Sequence, residues 1–232
     1  MSIEKGTRKV QDVKLKEIYI LTGKVSFKET ILLGLSSIIR DPLFLLVKFM
    51  PGPLGFKLRQ LWYKRTLGAM GRGCLIEAGA NISGPENVYL DEFVLIDQYA
   101  QLVAPEGYIR IGRRCHIAQF SIILGHGCVE IGDYAAVGGT ILSASDWPRN
   151  GKRVSGPMVP VSHRNLLKKK VVIGKDALIG RGSVIFPGVT VGEGAIVAVN
   201  SVVISDIKPW TVVMGSPAKV IGKRDNVKLP DI

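Results

Sequence analysis

Aliphatic residues recur every six positions near the C-terminal end of the chain, between residues 173 and 203. An amphipathic helix would repeat every 3.6 residues and a simple strand every two, so neither element produces this pattern. The repeating positions are Ile173, Ile179, Ile185, Val191, Val197 and Val203. A period of six predicts a β-helix, in which three short strands make one triangular coil and each inward side chain stacks on its counterpart one coil later.

The same period extends upstream with interruptions. Inward positions are predicted at Leu90, Ile96 and Leu102, at Ile111, Ile117 and Ile123, and at Ile131, Val137 and Ser143, with Ile76 and Ile82 beginning an irregular first coil. The step from residue 143 to residue 173 spans thirty positions where six are expected, so an excursion leaves the coil at roughly residues 146–170. Loops of this length in a compact fold are usually functional.

The composition restricts the core, the cellular compartment and the membrane topology that the chain can have. The chain has 232 residues, of which 47% are hydrophobic and only 7% aromatic, and a narrow interior filled by Val, Ile and Leu explains the shortage of rings. Three cysteines without CxxC spacing favour a reducing compartment over a disulfide framework. No uncharged apolar run reaches about 18 residues, so we do not expect a membrane-spanning helix.

Residues 1–73 differ from the β-helix domain expected at 74–224 and from the short tail at 225–232. The segment 1–70 holds 13 Lys and Arg against 5 Asp and Glu, whereas the remainder holds 18 against 14, so most of the net charge of +12 lies here. Apolar runs and a capping box at Ser26 predict helices, the second over Leu54 to Met70. Apolar and basic faces together favour peripheral attachment to an anionic membrane, at its cytoplasmic face. The alternative is that the helices cap the β-helix.

The last coils resemble those of a known family. Residues 171–224 read VVIGKDALIGRGSVIFPGVTVGEGAIVAVNSVVISDIKPWTVVMGSPAKVIGKR, which resembles the C-terminal pattern of the left-handed β-helix, hexapeptide-repeat acyltransferases. The upstream ILSASDWPRNGKRVSGPMVP is similar to a branch linked to polysaccharide and lipid-carrier O-acetylation. The resemblance implies a homotrimer that binds acetyl-CoA in grooves between neighbouring prisms. It also implies direct acetyl transfer to a hydroxyl or amine.

From this resemblance we expect an acetyl-CoA-dependent O-acetyltransferase acting on a saccharide or a lipid-linked glycan. N-acetylation of a nucleotide-linked amino sugar is the rival enzyme activity. A γ-carbonic-anhydrase-like zinc site is less favoured because the three histidines lack that class's close His pair, and no metal is expected. A non-catalytic β-helix is a further alternative. A nucleic-acid partner is not expected, because aromatic residues are not interleaved with the basic ones.

The chemistry needs a general base that takes the acceptor proton as oxygen or nitrogen attacks the thioester. In the maltose and galactoside acetyltransferases that the chain resembles, a histidine stands where this sequence has Asp146. Counting along the repeat places His126 and Asp146 three residues after equivalent inward positions on adjacent coils. We predict that His126 is the base and that Asp146 orients it. Asp146 alone, His163 in the excursion, or no catalytic role for any of them are the alternatives, and His116 is expected to be structural.

The family's coenzyme-contacting positions also fall on the last coils. They correspond to Arg181 and Val199, which lie one predicted coil apart, with Gly180 allowing close backbone approach. Lys219 in GSPAKVIG matches the basic residue near the coenzyme's 3′-phosphate. The family's frequent Thr-Lys pair is missing here, and Lys208 is a possible replacement.

Overall fold

A computed structural model describes residues 42–154, 159 and 161–226. The helix start predicted at Ser26 and most of the predicted tail lie outside these residues. Three parallel sheets, named A, B and C in the order in which the chain visits them, form the sides of a coil. This architecture confirms the predicted left-handed parallel β-helix.

Each turn of the coil places one strand in each sheet. Sheet A contains β1 (Ala69–Met70), β4 (Val88–Leu90), β7 (Ile109–Ile111), β10 (Val129–Ile131), β15 (Val171–Ile173) and β18 (Thr190–Val191). Sheet B contains β2 (Leu75–Ile76), β5 (Leu95–Ile96), β8 (His116–Ile117), β11 (Ala136–Val137), β16 (Leu178–Ile179), β19 (Ile196–Val197), β21 (Thr211–Gly215) and β22 (Ala218–Lys223). Sheet C contains β3 (Asn81–Ser83), β6 (Gln101–Val103), β9 (Ile122–Leu124), β12 (Thr140–Leu142), β17 (Val184–Ile185) and β20 (Val202–Val203). A separate two-stranded sheet consists of β13 (Ala144–Asp146) and β14 (Leu166–Lys168), and 3-10 turns cover Pro85–Asn87 and Val161–His163.

The interior of the coil is built from the aliphatic positions that the period of six predicted. Ile173, Ile179 and Ile185 are each at most 1% exposed. Strand pairing puts Ile179 beside Val197 on the next coil. Burying each such side chain contributes roughly 1.5–3 kcal/mol, so the stacked columns are the main source of stability.

One predicted stacking partner is wrong. Ser143 is buried, but in the pairing of β12 with β9 it is Ile141, also fully buried, that lies opposite Ile123. The cause is the B–C corner, the turn that joins a sheet B strand to the next sheet C strand. In this coil it consists of Gly138 and Gly139, whereas the corresponding corners before and after it are longer. Counting by six therefore overshoots at this corner.

In the part of the chain that the structure describes, two helices precede the coil, α1 at residues 42–49 and α2 at Gly52–Thr66. The buried face of α2 carries Gly55, Arg59 and Tyr63 and packs against the first strands of sheets A and B. The predicted division of this helix into an apolar and a basic face does not hold for Arg59, which is 2% exposed. Within the described ranges no helix is both long enough and apolar enough to cross a membrane.

Arg59 is buried because its guanidinium satisfies backbone carbonyls. It donates to the carbonyl oxygen of Ile76 in β2 at 2.7 Å, to that of Met50 at 2.7 Å and to that of Val47 at 3.2 Å. The last carbonyls of a helix lack partners inside the helix, so a buried helix end needs donors of this kind. Helix α2 thus caps the first coil.

The excursion between β12 and β15 has local structure of its own over residues 146–165. The amide of Trp147 donates to the carbonyl of Asn165 at 2.8 Å, which joins the two ends of the segment. The Arg149 guanidinium lies 4.2 Å from the centre of the Trp147 ring. The segment therefore doubles back on itself.

Candidate functional site

His126 lies in the turn that follows β9 at the end of sheet C. Its Nδ1 is buried, and no atom of the described residues hydrogen-bonds to it. The neighbouring amide of Gly127 donates to the hydroxyl of Ser143 at 2.9 Å, and Ser143 is fully buried. The turn is thus fixed to the next coil, while the imidazole keeps one nitrogen uncommitted.

A charged pair lies close to this histidine. Glu106 accepts a hydrogen bond from the ammonium of Lys168 in β14. That hydrogen bond and the positive charge of Lys168 lower the pKa of Glu106 against the opposing effect of burial, and the nearby His126 contributes least. Glu106 is therefore ionised at neutral pH and places a negative charge near the imidazole.

The register of sheet C differs from the one that counting by six predicted for His126 and Asp146. Leu124 pairs with Leu142, so counting two positions onward from each brings His126 level with residue 144 rather than 146. Asp146 ends β13 and begins the excursion, and His163 ends a 3-10 turn within it, where its Nδ1 lies 3.1 Å from the Ser162 hydroxyl. A partnership of His126 with Asp146 stays a prediction.

His116 takes part in a pair that the sequence did not suggest. Its Nε2 lies 2.8 Å from Oδ2 of Asp97, and both are partly exposed on adjacent coils. The two side chains lie diagonally across adjacent coils. Ile96 pairs with Ile117, so Asp97, which follows Ile96, comes close to His116, which precedes Ile117. In the described residues no group of three or more His, Cys, Asp or Glu side chains converges as a metal site requires.

The positions matched to the coenzyme lie at one place on the coil. Ile179 pairs with Val197, which puts Arg181 level with Val199 at the B–C corner, and both are exposed. Gly180 is required here because the Cβ of an alanine would lie 2.6 Å from the backbone nitrogen of Val199. The backbones of the two coils therefore approach closely beside the exposed side chains.

A cleft of about 340 Å³ lies beside the terminal hairpin of β21 and β22. Its lining includes Lys208 and Lys223, together with Ala218 and Val220 of β22. Lys219 lies between those last two residues, is exposed and does not line the cleft. The cleft itself is lined by two lysines and one carboxylate, that of Asp206, and the lysines could pair with a phosphate.

The chain is similar to known acyltransferases. Residues 170–205 match the family described as the hexapeptide repeat of succinyl-transferase. The dTDP-4-amino-4,6-dideoxy-D-glucose acyltransferase of Escherichia coli is 35% identical over 169 residues, which is 72% of this chain and 86% of that protein. The chain belongs to the hexapeptide-repeat acyltransferase family. The protein is thus an acyltransferase of sugar metabolism, as its last coils predicted.

Solved structures of acyltransferases share the fold. The N-acyltransferase AntD of Bacillus cereus, solved with dTDP and 3-hydroxybutyryl-CoA, is 28% identical with a TM-score of 0.66 and aligns over 72% of this chain and 88% of its own. A hexapeptide-repeat acetyltransferase of Vibrio cholerae is 22% identical with a TM-score of 0.56, over 80% and 89%, and shows the fold alone. WbbJ of Escherichia coli K12, assigned to O-acetyl transfer in lipopolysaccharide biosynthesis, is 29% identical over 59% of this chain and 60% of its own. The proteins similar to this acyltransferase therefore include an N-acyltransferase and a protein assigned to O-acetyl transfer.

Proposed function

We propose that this enzyme transfers an acyl group, acetyl in the simplest case, from acyl-CoA to the amino group of a nucleotide-linked amino sugar. The observation that carries the proposal is the similarity to the Escherichia coli dTDP-amino-sugar acyltransferase over 86% of that protein's length. AntD, which has the same fold, is an N-acyltransferase solved with dTDP and an acyl-CoA. O-acetylation of a glycan, which the sequence alone favoured, becomes the second candidate.

The proposed reaction is a direct acyl transfer. The amine nitrogen attacks the thioester carbon, the C–N bond forms and the C–S bond breaks. A general base takes the proton that the amine loses, and the departing coenzyme thiolate takes up a proton in turn. A backbone N–H directed at the carbonyl oxygen is expected to stabilise the developing negative charge.

We assign the role of general base to His126. Its buried Nδ1 has no structural hydrogen bond among the described residues, and the nearby Glu106 carboxylate would stabilise the imidazolium that proton transfer creates. Asp146 and His163 are the other candidates, and both belong to the excursion.

The coenzyme is proposed to lie along the B–C corner towards the terminal hairpin. Gly180 allows close approach, and the exposed Arg181 and Val199 would contact the pantetheine arm. Lys219 would meet the 3′-phosphate, with Lys208 beside the cleft as a second cation. Acetyl-CoA is the expected co-substrate.

A homotrimer is proposed as the assembly. The outward side chains of sheet B include Leu75, Leu178 and Ile196, of which the two leucines are exposed. This strip on the sheet face is largely apolar and is interrupted by His116, and such a surface fits contact with another copy of the chain. Light scattering on the purified protein should give three times the chain mass, and a monomer would contradict this assignment.

Three acceptor classes separate the candidate activities. The purified enzyme is incubated with acetyl-CoA and, in turn, a dTDP-linked 4-amino sugar, a free saccharide and a membrane glycolipid extract, and products are identified by mass spectrometry. Acylation of the nucleotide sugar alone is expected. Acylation of the glycolipid alone would overturn the proposal in favour of O-acetylation.

The second candidate, O-acetylation of a lipid-linked glycan at a membrane surface, is supported by the outer face of α2. Leu54 and Leu61 are 64% and 52% exposed and are flanked by the exposed basic residues Lys57, Lys64 and Arg65. Such a face suits an anionic bilayer surface. Flotation with anionic but not zwitterionic vesicles, lost on changing both leucines to Gln, is the expected signature. Equal recovery with both vesicle types would contradict membrane attachment.

A further inference from the structure

Two exposed aromatic rings are stacked at successive B–C corners. The rings of Tyr99 and Phe120 lie 5.6 Å apart, centre to centre, with planes 7° from parallel. Their φ angles are +60° and +61°, in the left-handed region, where other coils have Gly79, Gly182 and Asn200 at the equivalent position. Gly and Asn adopt this conformation most readily, so the turn itself does not call for aromatic residues.

The next corner along the coil leaves space above the pair. It is the short corner of Gly138 and Gly139, and Phe120 is 67% exposed. The corner after that carries Arg181, whose Cγ lies 3.1 Å from the position that a Cβ on Gly138 would take. Two strand spacings separate the corners of Phe120 and Arg181 by roughly 10 Å. This gap suits one planar ring, because stacked rings lie about 4.5–7 Å apart.

Three aromatic residues at A–B corners, the turns that join sheet A to the next sheet B strand, are covered by the chain's own cations. Phe93 has Arg114 at 5.0 Å, Tyr134 has Arg113 at 5.6 Å and Trp210 has Arg224 at 5.5 Å from the ring centre. Among the described residues, Phe120 has Tyr99 against one face and no cation of this kind over the other. The uncovered face of the Phe120 ring therefore distinguishes this B–C corner from the corners of Phe93, Tyr134 and Trp210.

Polar groups flank the same corner. The bonded pair of His116 and Asp97 lies on the two coils that carry the aromatic rings, a few positions before Phe120 and Tyr99 respectively. The guanidinium of Arg181 adds a donor that pairs well with phosphate. A flat apolar surface beside an imidazole and a guanidinium matches the parts of a nucleotide.

We propose that Phe120, backed by Tyr99, is the stacking platform for the base of a nucleoside diphosphate. The aliphatic stem of Arg181 borders the proposed pantetheine groove, and its guanidinium would face the phosphates of this nucleotide. The inference rests on the proposed function, since the nucleotide is that of the sugar acceptor. The adenine of coenzyme A has the same flat chemistry, and a binding experiment separates the two sources.

The test replaces Phe120 by Asn, the residue type that holds the same backbone conformation at position 200. Calorimetry with dTDP alone and with coenzyme A alone is run on the wild type, on Phe120→Asn and on the matched control Phe93→Asn. Loss of one base-stacking contact should weaken dTDP binding at least about tenfold. Coenzyme A binding, and both affinities of the control, should stay as in the wild type. If Phe120→Asn does not fold, Phe120→Gly replaces it in the test, because Gly182 holds the equivalent position on another coil.

Each other outcome overturns a distinct statement. Unchanged dTDP binding by Phe120→Asn contradicts the platform while leaving the proposed function intact. Weakened coenzyme A binding with unchanged dTDP binding makes the platform an adenine site. A changed mass in light scattering with unchanged dTDP binding makes it a contact between copies. A wild type that binds no dTDP contradicts the acceptor class itself.

Discussion

Two histidines of one coil stand in different surroundings. His116 is held by the carboxylate of Asp97, whereas the Nδ1 of His126 has no hydrogen bond among the described residues. The imidazole of His116 is oriented by a carboxylate on the outer face of sheet B, whereas His126, in the turn after sheet C, keeps a buried nitrogen available to accept a proton.

Replacing His126 by Asn should lower kcat by roughly 10²–10⁴-fold, because an amide cannot accept the proton of the attacking amine. The KM for acyl-CoA should change little, because the coenzyme is proposed to lie at the B–C corner, which in the proposed trimer would face the His126 turn of a neighbouring copy. Steady-state kinetics measure both, with circular dichroism to verify folding. Turnover within a few-fold of the wild type, combined with inactivity of Asp146→Asn, would transfer the role to Asp146.

Gly180→Ala should raise the KM for acyl-CoA by about tenfold or more, because the added Cβ would lie 2.6 Å from the Val199 nitrogen and force the two coils apart at the proposed groove. Gly222→Ala is the matched control, since a Cβ there meets nothing within 4 Å. A fall in melting temperature without any change in this KM would make Gly180 a packing residue only.

Among the elements, helix α2 differs most from what its sequence pattern predicted. Its leucines were expected to lie on one face and its basic residues on the other, yet the structure buries Arg59 and leaves Leu54 and Leu61 exposed. Hydrophobic patterning assumes that charged groups seek water, and it misses a guanidinium whose donors find carbonyls. The helix can therefore cap the coil with one face and present apolar surface with the other.

Arg59→Met should lower the free energy of unfolding by about 3 kcal/mol, because the carbonyls of Ile76 and Met50 would be left buried without donors. Lys57→Met, at an exposed position of the same helix, should change it by less than about 0.5 kcal/mol. Urea titration followed by circular dichroism gives both values. Equal stability of the two variants would show that the cap does not depend on Arg59.

For the molecule as a whole, the period of six predicted the fold and nearly every inward residue, because an inward aliphatic side chain is the strict requirement of each strand. It predicted the wrong stacking partner at Ser143, where Gly138 and Gly139 shorten a corner, since strand pairing rather than residue counting defines a coil. The sequence did not indicate that this short corner could matter for function. In the structure it is the corner next to Phe120, whose ring is exposed.

The diagonal pair of His116 and Asp97 escaped prediction for a related reason. Contacts between coils depend on the register at each corner, and the corner lengths vary between coils. The placement of Arg181 level with Val199 was predicted correctly, because both lie in the regular coils where the period of six runs without interruption. Their contact with the coenzyme stays a prediction.

The most direct test of the central claim is competition between two acceptors that differ at one atom. The enzyme receives acetyl-CoA with equal amounts of dTDP-4-amino-4,6-dideoxyglucose and its 4-hydroxy analogue, and product ratios give the ratio of kcat/KM. N-acyl transfer predicts a preference for the amine of at least about a hundredfold, because a site built to bind one polar group discriminates strongly against another. Equal use of the two acceptors, or preference for the hydroxyl, would contradict the account.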